Sequence, residues 1–278
     1  MSACHAEAFS VGGLDVFFSM STPRFYIAPE DWNPAAPVLS GSEAHHARNV
    51  LRMKRGDKAV LFNGLGREVT AQLVDFVRHR TTSQRRAGDE IRFRKLHEAE
   101  TPTLRCRITL GQAIPKGKNM DLIVQKAVEI GASEIVPLIS DRTVVDIDQK
   151  EATRKQEKWQ QVAIEAAKQS GQNWLPQVRV PQKLAHFFSA APRYDLRLIG
   201  SLQRDAQHLK KILVDYTEAT RHLPATVLML VGPEGDFTPA EIALAKSQSC
   251  LPITLGPIIL RVETAAIYCL SVLSYELL

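Results

Sequence analysis

The residues best suited to chemistry lie near the carboxyl end, from Thr226 to Leu278. Two apolar runs, Val227 to Val231 and Ile253 to Leu255, each break at a glycine, and a helical pattern follows each. The first break reads Gly232-Pro233-Glu234-Gly235-Asp236-Phe237. The second reads Leu255-Gly256-Pro257-Ile258-Ile259-Leu260 and runs into Arg261-Val262-Glu263-Thr264-Ala265. A buried strand ending in a glycine turn leaves main-chain N–H and C=O groups bare at the sheet's carboxyl edge, where open α/β sheets bind ligands. Two adjacent loops of this kind can hold a flat, hydrogen-bonding ligand such as an adenine ring. Each loop alone also reads as an ordinary strand-to-helix turn. Arg261 and Glu263 are the ionisable side chains of the second loop. They can act on a reacting group, or serve as a structural ion pair at a helix start.

The elements that must position these loops follow from pattern. Thr238, Pro239 and Glu241 form a capping-box start for the helix after the first loop. From Leu104 onward strands and helices alternate. Strands are expected at Leu104–Ala113, Glu134–Ile139 and Asp195–Ile199. Helices are expected at Met120–Gly131, Gln149–Ser170, Pro181–Ala190, Leu209–Leu223 and Ala265–Leu278. Alternation of this kind implies a mostly parallel sheet covered on both faces, and pattern alone reads as an ordinary doubly wound fold.

The two loops together, in this order, resemble the bacterial 16S rRNA (uracil-N3)-methyltransferase family of the SPOUT superfamily, with its GPEGG loop and later LGxxxLRxETA stretch. The resemblance runs over residues 20–278. It includes Lys116, Met120, Gln125, Lys126, Glu129, Gly131, Ser140 and Arg142 in one segment, and Gln169-Ser170-Gly171-Gln172-Asn173 in another. It implies an α/β domain with a trefoil knot, expected at 104–278. A small PUA-like β-barrel that helps hold RNA precedes it at 20–97, and 98–103 is the linker. It further implies S-adenosylmethionine (SAM) as cofactor, a homodimer, and 16S rRNA or the assembled small subunit as partner. The cofactor residues implied are Leu230, Gly232, Pro233, Glu234, Gly235, Leu255, Gly256, Ile259, Leu260, Thr264 and Ala265. Arg261, Glu263 and Asn173 are the catalytic candidates, and Arg24, Arg48, Arg52, Lys116, Lys126 and Arg142 the RNA contacts.

Several of these residues carry a plainer reading as well. Lys126 and Glu129 stand at i,i+3 and can simply pair on a helix surface. Gly171 can be a plain helix stop, with Gln169, Ser170 and Asn173 either there or reading a uracil edge. This chain also departs from the pattern: Asp236 replaces a glycine, Ile258 an arginine and Val262 a threonine. Other readings of the whole are ribose 2′-O-methylation and RNA binding without catalysis.

The amino-terminal part is built of short strands and turns. Arg24–Ile27 and Ala59–Phe62 read as strands and Ser42–Arg52 as helix. Asn63-Gly64 is a hairpin turn into Glu68–Phe76. Arg78, Arg80, Arg85, Arg86, Arg92, Arg94 and Lys95 form the most basic stretch, either a phosphate contact or a solvated hairpin. Residues 1–19 are expected to be a disordered extension without function.

Composition sets the bounds. The chain has 278 residues, 45% of them hydrophobic, a formal charge of +5 and a pI of about 9.0. This balance favours an anionic partner. No apolar run reaches membrane-span length, and residues 1–20 make a poor signal peptide. Cys4, Cys106, Cys250 and Cys269 are scattered, which argues for free thiols in the cytoplasm rather than disulfides or zinc. The histidine pair His45-His46 is expected at the surface or in the barrel, and no metal or nucleotide motif is present.

Overall fold

The structure is a computed structural model that describes residues 22–78, 89–143, 147–190 and 193–278. The expected amino-terminal extension lies outside them, as do Arg80, Arg85 and Arg86 of the basic stretch. The chain divides into two units, one of residues 1–25, 32–61 and 69–98, the other of 26–31, 62–68 and 99–278.

The first unit is organised by a five-stranded sheet. In chain order its strands are β1 (Arg24–Tyr26), β2 (Val38–Leu39), β3 (Lys58–Phe62), β4 (Arg67–Arg78) and β5 (Asp89–Glu100). In space they run β1-β3-β4-β5-β2. Alternation builds its core: Ala59 and Leu61, Val69, Ala71 and Leu73, and Ile91 and Phe93 are buried, as a period of two requires. The helix expected over Ser42–Arg52 is split. A five-residue α1 (Gly41–His45) passes directly into a π-helical turn, His46–Val50. Ala44 and Ala47 still point inward. β5 continues to Glu100, so the first part of the expected linker is strand.

The second unit is an all-parallel sheet of eight strands with helices on both faces. In chain order it comprises β6 (Arg107–Ala113), α2 (Asn119–Ile130), β7 (Glu134–Ile139), α3 (Gln149–Ser170), β8 (Gln177–Val178), β9 (Gln182–Lys183), α4 (Leu184–Ala190), β10 (Leu196–Gly200) and β11 (Gln207–His208). Then come α5 (Leu209–Thr220), β12 (Thr226–Val231), α6 (Pro239–Ser247), β13 (Leu251–Thr254) and α7 (Val262–Leu277). Spatially the strands run β11-β13-β10-β12-β6-β7-β8, with β9 also on β7.

The apolar run of β12 shows why the sheet is sandwiched. Val227, Met229 and Val231 enter one core, shared with α2, α3, α5 and α7. Leu228 and Leu230 enter a second core, shared with α4 and α6. A strand buried on both faces needs apolar side chains at every position. Gly111 lies in close packing with β12, where a Cβ would stand 2.5 Å from Leu230 Cδ2. The helix ends follow local chemistry. Asp148 Oδ1 accepts from Glu151 N–H at the start of α3, and Gly171 closes it at φ +75°. Gly131 closes α2 at φ +98°, a conformation that costs glycine no Cβ clash.

The Asn63-Gly64 turn differs from the two-residue hairpin expected. Its loop spans four residues, Asn63–Gly66. Asn63 Oδ1 accepts from the N–H groups of Leu65 (2.8 Å) and Arg67 (3.1 Å). Gly66 sits at φ +85°, and a Cβ there would meet the Trp174 ring at 2.6 Å. The loop thus packs closely against Trp174.

Candidate functional site

A cavity of about 570 Å³ opens at the carboxyl edge of the parallel sheet. It is lined by the loops after β10, β12 and β13, by the start of α7, and by Asn119 at the start of α2. Gly232 and Gly256 both line it. Their strands are not neighbours, however. β10 lies between β12 and β13, so three loops rather than two adjacent ones form the wall.

The β12 loop is held tightly. Asp236 N–H donates to Pro233 O (2.9 Å), and Asp236 takes φ +61°, a region that aspartate tolerates better than most side chains. Its Oδ1 accepts from Phe237 N–H at 2.7 Å. A Cβ on Gly232 would stand 3.1 Å from both that oxygen and Phe237 N, so a side chain there would crowd the turn where it folds back on itself. Phe237 is buried beneath the loop.

The capping box then locks α6, with Thr238 N–H on Glu241 Oε2 (2.8 Å) and Glu241 N–H on Thr238 Oγ1 (3.2 Å). Glu241 is buried and also accepts from Ser140 Oγ (3.0 Å) and Asp141 N–H (3.1 Å). One carboxylate thus ties the β7 loop to the β12 loop. Arg142, on that β7 loop, donates to the carbonyl of Gly235.

The segment from β6 to the start of α2 grips two of the three carboxylate residues of the cavity wall, Glu234 and Glu263. Lys116 N–H donates to Glu234 Oε1 (2.9 Å), and Asn119 Nδ2 donates to Glu263 Oε2 (3.1 Å). In the β13 loop, Gly256 lies at φ +118°, and a Cβ there would have nothing within 4 Å, so backbone conformation rather than crowding favours glycine. Ile258 and Ile259 are strongly exposed, at 69% and 81%.

Residues 102–274 match the RNA methyltransferase domain family, and residues 39–75 match the RNA methyltransferase PUA domain. The chain belongs to the RNA methyltransferase family. Ribosomal RNA small subunit methyltransferase E of Bacillus subtilis is 31% identical over 258 residues, covering 87% of this chain and 91% of the relative. A Legionella pneumophila protein described as a methyltransferase, solved with the cofactor SAM bound, superposes with a TM-score of 0.76 at 33% identity. That match covers 92% of this chain and 98% of the other. Ribosomal RNA small subunit methyltransferase E of Neisseria gonorrhoeae, bound to S-adenosylmethionine, gives a TM-score of 0.73 at 29% identity with the same coverage.

In this RNA methyltransferase the cavity gathers Gly232, Pro233, Glu234, Leu255, Gly256, Ile259, Leu260 and Ala265 with Arg261 and Glu263. Three residues expected beside them lie off its wall. Leu230 is fully buried in the core on the α4–α6 side. Gly235 turns its carbonyl to Arg142. Thr264 is exposed on α7. Asn173 is also elsewhere: it is buried, and its Nδ2 donates to Glu68 Oε2 and Thr101 Oγ1, both at 2.9 Å. That amide fastens the chain after α3 and does not face the cavity.

Among the basic residues, Lys126 pairs with Glu129 at 2.6 Å. Lys116 and Arg142 are exposed. In the first unit, the Arg48 guanidinium stands over the Phe76 ring at 5.3 Å, and Arg52 is exposed at φ +53°.

Sequence reasoning missed the β10 loop, Gly200 to Gln203, and Asn119. Part of the signal for the former was present: the strand expected at Asp195–Ile199 is followed by Gly200, as Val227–Val231 is by Gly232. Asn119 had no signal, because only folding brings it to Glu263. Burial pushes the Cys250 and Cys269 thiols up to about 12 and Cys106 to about 11, so these sulfurs stay protonated and unreactive. Among the described residues no group of three or more His, Cys, Asp or Glu could hold a metal, and no helix is long and apolar enough to cross a membrane.

Proposed function

We propose that this RNA methyltransferase transfers a methyl group from SAM to N3 of a uridine in 16S rRNA of the small ribosomal subunit. The observation that carries the reading is the cavity at the carboxyl edge, built from glycine-broken loops, in a chain similar to two proteins solved with that cofactor. Its size suits a nucleoside-sized ligand. Main-chain groups of the Gly232 and Gly256 loops would hold the base and ribose, and Leu255, Leu260 and Ala265 would supply apolar wall. Bound there, the cofactor supplies a methyl group already activated on a sulfonium, so orientation provides much of the rate.

The chain's own residues do the rest. N3 of uracil must lose its proton to become nucleophilic, and the charge spreads to its flanking oxygens. Arg261, exposed at the cavity, is suited to stabilise that charge. Glu263 is oriented by Asn119 and borders the same space. Arg24, Arg48, Arg52, Lys116, Lys126 and Arg142 would take RNA phosphate, with an affinity that falls as salt rises. In this reading the PUA-like domain covers residues 20–97 and the catalytic domain 104–278, with the chain knotted around its cofactor loops. The enzyme acts in the cytoplasm as a homodimer packed partly through α7, where Tyr268 and Tyr275 are exposed, and binds naked rRNA or the assembled subunit.

The test is transfer of labelled methyl from SAM to small subunits lacking the modification, with the product nucleoside mapped by mass spectrometry. N3-methyluridine is expected. A ribose-methylated product would reassign the specificity, and no transfer with intact RNA binding would leave a binding protein.

A further inference from the structure

Three carboxylates line the cavity, those of Glu234, Asp236 and Glu263, against one guanidinium, that of Arg261. The N-terminus of α7 adds partial positive charge on the Arg261 side. Asp236 is the telling member. Its φ of +61° is one that glycine adopts without strain, yet the position carries a carboxylate. Each acid is also fixed by one neutral donor: Glu234 by Lys116 N–H (2.9 Å), Asp236 by Phe237 N–H (2.7 Å), and Glu263 by Asn119 Nδ2 (3.1 Å). The donor groups themselves are uncharged, and the nearby cations Lys116 and Arg142, the latter on the Gly235 carbonyl, are not part of the cavity wall.

Resting on the function proposed above, we infer that this wall selects its ligand by charge, binding the sulfonium cofactor in preference to the thioether left after transfer. In the reaction the S–CH₃ bond breaks and its electron pair stays on sulfur. A new N–CH₃ bond forms on the deprotonated N3. The cofactor thereby goes from a net charge of +1, with sulfonium, ammonium and carboxylate, to zero. A wall with excess negative charge, partly shielded from water, favours the first over the second. Discrimination is a difference of two affinities, and here it would promote product release.

The test is calorimetric titration of the full chain with SAM, with S-adenosylhomocysteine, and with an analogue carrying a protonated amine in place of the sulfonium. Asp236→Asn and Glu263→Gln each keep an oxygen to accept the Phe237 or Asn119 hydrogen bond and remove only charge. Wild type should bind SAM about tenfold or more tightly than the thioether at low salt, with the amine analogue following SAM and the ratio narrowing as salt rises. Each variant should reduce the ratio several-fold by weakening SAM, while thioether affinity stays within about twofold and so reports an intact fold. Equal wild-type affinities, an unchanged ratio in both variants, or equal losses for both ligands would overturn the inference. Wild type that binds SAM but fails these comparisons leaves the methyltransferase reading standing. Wild type that binds none of the three overturns both.

Discussion

The two edges of the parallel sheet in the second unit are built in opposite ways. At the amino edge, side chains pair with one another and with nearby main chain. Arg179 Nε meets Glu134 Oε1 at 2.5 Å, and Thr109 Oγ1 lies 3.4 Å from Glu134 Oε2. Arg197 donates to Gln248 O (2.8 Å) and stands over the Tyr194 ring. Asp195 Oδ2 accepts from the N–H groups of Ala225 (2.9 Å) and Thr226 (3.0 Å). At the carboxyl edge β10 ends in Gly200, Gly232 follows β12 and Gly256 lies just after β13, and these loops leave a cavity of about 570 Å³. There Glu241 ties the β7 loop to the β12 loop, and Asn119 ties the start of α2 to the start of α7 at the wall itself, and the space between stays open. One edge closes the fold, and the other gives up packing to form a binding site.

The sharpest way to break this contrast is Gly232→Val. Its Cβ would crowd Asp236 and Phe237 N, and its branches would distort a loop that lines the cavity. SAM affinity should fall by about a hundredfold or more in calorimetry, which corresponds to roughly 3 kcal/mol. Retention of wild-type affinity would mean the cavity is not the cofactor site. Next is Glu241→Ala, which removes the acceptor shared by Ser140, Asp141 and Thr238. A loss of about 2 kcal/mol in urea unfolding is expected, with a several-fold loss of SAM affinity because the β12 loop loses its tie.

At the opposite edge, Glu134→Gln should cost about 1 kcal/mol or less, since Arg179 is half exposed and the pair is screened. SAM affinity should not change. A fall in affinity there would erase the distinction between the edges. The smallest effect at neutral pH concerns Cys269. Its thiol is raised in the folded state and ordinary when unfolded, so the stability it contributes is present below about pH 9 and is lost as pH rises toward 12. The urea midpoint should therefore fall between pH 8 and pH 10, and less so in Cys269→Ala.

Legibility differed between the same two edges. The β12 and β13 loops could be read because glycine after an apolar run is a local event, and the Thr238–Glu241 capping box is a four-residue pattern. The span of α3 was also readable, since Asp148 and Gly171 mark its ends within the chain itself. That the β10 loop joins the other two could not be read, because strand order is not local. Nothing between residues 196 and 256 says that β10 inserts between β12 and β13. Asn173 was ambiguous for a related reason. A polar residue after a helix stop can face a ligand or fasten a neighbour, and the choice depended on Glu68 and Thr101, far away in sequence.

The chain by itself determined which segments are strands buried on both faces, where their ends turn, and that the charge balance suits an anionic partner. Those properties depend on side-chain periodicity, backbone φ preference and composition, all of which act over a few residues or over the whole. Tertiary structure alone decided which strand ends share a cavity, which carboxylates line it, and that Lys116 N–H and Asn119 hold two of them. Those facts depend on contacts between residues more than a hundred positions apart, and only packing brings such residues to hydrogen-bond distance.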